Sequence, residues 1–214
     1  MAPRRLIGRF LLGFAVAFGA LVAPWPGWNA AYGALFRGGA AAVFSDGHGR
    51  ILVRFRRAEH PPRAEIDTEI VVADRAQIGR DGRGPANVLG LDTRSVGWIP
   101  TALVLALIVA TPVGWRRQWR ALVLGLAVVH VYILLVVGVY LWNETAGAVP
   151  VSFLPYWAGL GGGLEETLVT QLGPSFAVPA LIWVAVTFRR EDWAGFGSRV
   201  RTGADVPPAK AGPP

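Results

Sequence analysis

The chain has 214 residues, 53% of them hydrophobic and 16% charged, with a mean hydropathy of +0.42 and a formal net charge of +7. That is long enough for one domain but too apolar for an ordinary soluble one, and the apolar residues lie in long runs, which points to lipid. The absence of Cys excludes disulfides, thiolate metal sites and Cys nucleophiles, and His48, His60 and His130 are too scattered for a metal site, so no cofactor is expected.

Arg4, Arg5 and Arg9 precede an apolar run from Phe10 to Ala23 that stops at Pro24-Trp25-Pro26. A small-residue cut after Ala23 would put Pro24 directly behind it, so the run is read as an uncleaved first membrane helix starting near Leu6. From Trp28 to Phe44, Trp28, Tyr32, Leu35 and Phe36 recur at helical spacing, which predicts a short helix at the membrane interface or on an adjoining module. Ile51, Val53 and Phe55, then Ile66, Ile70 and Val72, alternate with polar residues. They predict a β-hairpin with one basic and one acidic strand around His60-Pro61-Pro62. The Gly- and Arg-rich stretch at 80–86 reads as a loop.

A second membrane segment is expected over Trp98–Trp115, between interfacial Trp residues, and Arg116, Arg117 and Arg120 separate it by a tight turn from a third over Ala121–Trp142. A Gly- and Pro-rich loop at 143–172 leads to a fourth segment, Gly173–Phe188, stopped by Arg189 and Arg190. The tail from Ser198 reads as disordered. In this arrangement the three Arg clusters share one side. The expected fold is therefore membrane α-helical, with four transmembrane helices and a small external β-containing module. Residues 1–24 hold the first helix, 25–97 the module, 98–142 the helical hairpin, 143–172 an external loop, 173–188 the last helix and 189–214 the tail. The expected location is the inner (cytoplasmic) membrane, with both termini cytoplasmic. The Arg residues act as orienting charges beside apolar runs, so membrane lipid is an expected partner and nucleic acid is not.

Three groups are candidate functional residues. Glu165 and Glu166 resemble the paired glutamates of the intramembrane proteases that process prenylated proteins. Thr170 stands where that family has Arg, however, and only His130 offers an imidazole in a membrane segment. Their other reading is as acidic charges at the N-terminus of the last helix. His130, midway along the third segment, is either functional or hydrogen-bonded across helices to Thr101 or Thr111. Asp92, Thr93 and Arg94 stand where the module meets the second helix, as a helix cap or as a contact for substrate or partner.

The stretch Asp92-Thr93-Arg94-Ser95-Val96-Gly97-Trp98-Ile99-Pro100 continues through Leu105 to Ala110-Thr111-Pro112 and an Arg-rich turn. It resembles small membrane proteins associated with exosortases, the membrane transpeptidases that cut C-terminal sorting signals. The resemblance implies an accessory role beside such an enzyme, and this chain lacks the Cys the transpeptidase itself needs. The expected function is thus a non-enzymatic accessory protein with a membrane or envelope protein partner. The alternative is a membrane-embedded hydrolase using Glu165, Glu166 and His130.

Overall fold

The structure is a computed structural model describing residues 3–45, 51–59, 63–80, 83–148 and 172–188. Helix α1 (Pro3–Val22) ends before Pro24 and Pro26, and Gly27, at a left-handed φ of 77°, turns the chain into α2 (Trp28–Phe44). Strands β1 (Ile51–Arg57), β2 (Thr68–Asp74) and β3 (Ala86–Leu91) follow. One wide π-helical turn, Arg94–Trp98, leads into α3 (Ile99–Ala110), with Pro100 in its first turn, where a missing N–H costs nothing. The described helices end with α4 (Trp115–Ala148) and α5 (Leu172–Thr187).

Helix α3 is the centre of the helical layer, touching α1, α4 and α5. Its Ala102, Val104, Ala106 and Ile108 are wholly buried, as expected of a helix apolar on every side. Small residues let its neighbours come close. A Cβ on Gly125 of α4 would lie 2.7 Å from Ile108 Cδ1 and 3.1 Å from Val104 Cγ1, so any larger residue there displaces the end of the Ile108 side chain.

The strands form an antiparallel sheet in the order β1-β2-β3. Phe55, Ile70 and Leu89 align across it on the face packed against α2, where Phe36, Ala40 and Phe44 join the same core. Arg54, Val71 and Val88 align on the other face. Beside them Arg56 and Glu69, directly opposite in register, form an ion pair at 2.8 Å. Strand β3 extends the predicted hairpin to three strands, and ahead of it Gly79 N–H donates to Arg83 O at 2.8 Å. The interfacial-helix candidate, α2, lies on the sheet.

The fold corrects the four-helix transmembrane plan. Among the described residues, one helical stretch, Trp115–Asn143 of α4, is long and apolar enough to cross a membrane; the apolar parts of the other three helices, Ile7–Val22, Arg94–Ala110 and Phe176–Thr187, are shorter. The second segment shows why. Its apolar run reaches Trp115, but Thr111 turns extended before Pro112, so the continuous helical stretch is Arg94–Ala110. At 1.5 Å per residue its 17 residues reach about 25 Å, against a hydrocarbon core of about 30 Å. Its apolar residues are spent on protein contacts, as in a buried core helix.

Candidate functional site

The residues singled out at the junction of sheet and helices are brought together, each with an intramolecular task. Asp92 accepts from Arg94 N–H at 2.9 Å through Oδ1 and from the Ser95 hydroxyl through Oδ2, so it caps the π turn. Thr93 is 1% exposed, and both its donors go to Asp67: N–H to Oδ1 at 3.1 Å and the hydroxyl to Oδ2. Since Asp67 directly precedes β2, this pair fastens the sheet to the start of the helical layer. Arg37, on α2, donates to the Thr68 hydroxyl at 3.0 Å. A Cβ on Gly33 would meet Asp67 Oδ2 at 3.0 Å, Arg37 Nη1 at 3.1 Å and Thr93 Oγ1 at 3.4 Å, so α2 sits on this polar cluster through its smallest residue.

Arg94 points away from the cluster, to α1. An α-helix leaves its last four carbonyls without helical partners. In α1, Gly19 O accepts from Ala23 N–H at 2.9 Å, Ala20 O from the Trp25 indole at 2.7 Å, Leu21 O from the Trp98 indole at 3.0 Å, and Val22 O from Arg94 Nη2 at 2.8 Å. All four are satisfied within the protein. Trp98 is the hub of this arrangement: its ring lies against Trp28 and Tyr32, with centroids 5.0 and 5.2 Å away. Burial raises the Tyr32 phenol above its ordinary value of 10.0, and a side-chain hydrogen bond with Thr101 partly offsets the rise. A Cβ on Gly97 would fall 2.6 Å from the Tyr32 hydroxyl.

A second polar junction closes the other end of the helical layer. Arg117 donates from Nε at 3.1 Å and Nη2 at 2.6 Å to Thr187 O, capping α5, and the Trp183 indole donates to Thr111 Oγ1 at 2.9 Å. Phe10 of α1 stacks on Trp183 at 5.8 Å.

His130 is half-buried on α4, facing α2 across a cavity of about 250 Å³. Its Nδ1 lies 2.8 Å from Leu126 O on its own helix. The expected bond to Thr101 or Thr111 is not made: Thr101 donates to Gly97 O and Thr111 to Leu107 O, four residues back in each case. Glu165 and Glu166 lie outside the described residues, as do the Gly161 to Gly163 run and His60-Pro61-Pro62. Among the described residues, no three His, Asp or Glu side chains gather to hold a metal.

Arg37 and Asp67 escaped the sequence reading. The signal was a lone Arg in an Ala- and Gly-rich helix, and an acid beside a strand of otherwise apolar alternation. No family model, no curated protein and no solved structure matches this chain.

Proposed function

We propose that the chain is a non-enzymatic membrane accessory protein: α4 anchors it in lipid, and the sheet carried on α2 engages a membrane or envelope protein partner, an exosortase-type transpeptidase by the resemblance of residues 92–112. The observation that carries this reading is the surface of α4. Only 28% of its most apolar window is buried, and Val123, Leu124, Val131 and Leu135 stand exposed on a helix of spanning length. Left in water, such a surface favours aggregation, whereas in lipid it costs nothing. Arg116, Arg117 and Arg120 mark the first turns of α4 as its cytoplasmic end. The sheet lies toward the opposite end, where Phe44, which packs on Phe55, approaches Gly138.

Because the chain has no Cys, one introduced thiol is the only one to react. In intact membranes a water-soluble maleimide is expected to modify Arg54→Cys and spare Leu135→Cys, and the chain is expected to co-purify with a tagged exosortase-type transpeptidase. Equal labelling of both positions, or recovery of the chain outside the membrane fraction, overturns the anchor. Failure to co-purify overturns the partner.

A further inference from the structure

A slot runs between α2 and α4. Its inner part, among Tyr32, Phe36, Gly39, His130 and Ile133, has a volume of about 250 Å³. Its outer part, among Val43, Phe44, Val131, Gly138 and Trp142, has about 440 Å³, and Leu134 lines both parts. From His130 to Trp142, at 1.5 Å per residue, it is about 18 Å long. The outer part is lined by hydrocarbon and aromatic carbon. His130 forms the floor, its Nδ1–H spent on the Leu126 carbonyl.

Two dimensions decide what fits. A partner helix is about 10–12 Å across with its side chains, so it lies on the rim of the slot and does not enter between α2 and α4. A single hydrocarbon chain is narrow enough. An extended peptide gains at most about 3.6 Å per three bonds and an all-carbon chain slightly more, so 18 Å holds no more than about fifteen bonds, those of a 16-carbon chain. The slot opens along Val131 and Leu135, the same residues that present α4 outward, so it is continuous with the surface read as facing lipid.

We infer that the slot binds one acyl chain of a membrane lipid, its tip at His130 and its headgroup end at Trp142. This rests on the reading of α4 as a membrane anchor. The test uses the full chain in phosphatidylcholine vesicles doped with a phosphatidylcholine that bears a diazirine at the end of a 16-carbon chain, with adducts mapped by peptide mass spectrometry. Adducts are expected on the peptides holding Gly39 and Leu134, in excess over those on the outward Val123 and Leu124 of α4. Gly39→Phe places a ring where a Cβ meets nothing within 4 Å, and it is expected to lower the slot adducts about ten-fold while leaving those on Val123 and Leu124 unchanged. Gly138→Leu, from the opposite wall, is expected to do the same. Slot adducts that persist in both variants, or that never exceed those on Val123 and Leu124, overturn the inference alone. A chain with no adducts on any helix overturns the membrane anchor as well.

Discussion

Gly97 and Tyr32 show how closely single residues are fitted at the junction. The phenol occupies the space a methyl group would need, so Gly97→Ala is expected to destabilise the protein by about 1–3 kcal/mol. Tyr32→Phe removes the nearest atom and should relieve part of that loss in the double variant. Thermal unfolding of the four proteins in one detergent measures the coupling, and strictly additive losses would refute the contact. The same phenol carries a pH dependence. Its folded value lies above 10.0, so the unfolded chain releases its proton first. The stabilisation is then complete below pH 10.0 and is lost as pH rises from there through the folded value. Unfolding midpoints followed upward from pH 9 should fall more steeply for the natural chain than for Tyr32→Phe. Asp92 was legible as a cap, because a short polar residue before an apolar helix has that chemistry, whereas the tie of Arg94 to the Val22 carbonyl was not. Nor was Asp67 as the partner of Thr93, since 26 residues separate the two and nothing in local spacing joins them.

At the level of elements, α1 depends on a distant donor. Trp98→Phe keeps most of the ring contacts with Trp28 and Tyr32 but strands the Leu21 carbonyl, with an expected cost of about 1–3 kcal/mol. Amide exchange in the last turn of α1 should rise in that variant more than in α4; uniform exchange would count against the cap. Apolar runs and period-2 alternation located α1, α2, β1 and β2, because those patterns reflect which face of an element is buried. They misjudged the second segment, since hydropathy does not register the break that Thr111 and Pro112 impose. Strand β3 was missed for another reason. Ala86-Asn87-Val88-Leu89-Gly90-Leu91 is poor in β-branched residues, and Gly90 is there because Ile66 covers it, with Cδ1 2.8 Å from where a Cβ would stand.

Across the whole molecule the charges have a direction. Arg5 and Arg9 begin α1, Arg116, Arg117 and Arg120 begin α4, and Phe10 on Trp183 together with Arg117 on Thr187 draws these ends to one pole. The sheet belongs to the other. Replacing the exposed Arg116 and Arg120 with Glu, and leaving the capping Arg117 in place, is expected to reverse or abolish insertion of α4. In intact cells, Arg54→Cys should then lose its reactivity toward a membrane-impermeant maleimide, and unchanged labelling would show that these charges do not set the orientation. The candidate glutamates gave no comparable handle, because their reading depended on a meeting with His130 that only three-dimensional placement decides.

The capping of α1 also sets an order of events during synthesis. Its Val22 and Leu21 carbonyls are met by residues 72 and 77 positions later, so the nascent helix is left with open acceptors until the sheet and the π turn have been made. Contacts across such separations close late. Until then α1 is a provisional structure, free to shift along its axis. Trp98 and Arg94 are the latch that ends that freedom, and a ribosome stalled before residue 94 would carry a first helix that has not yet found its final position.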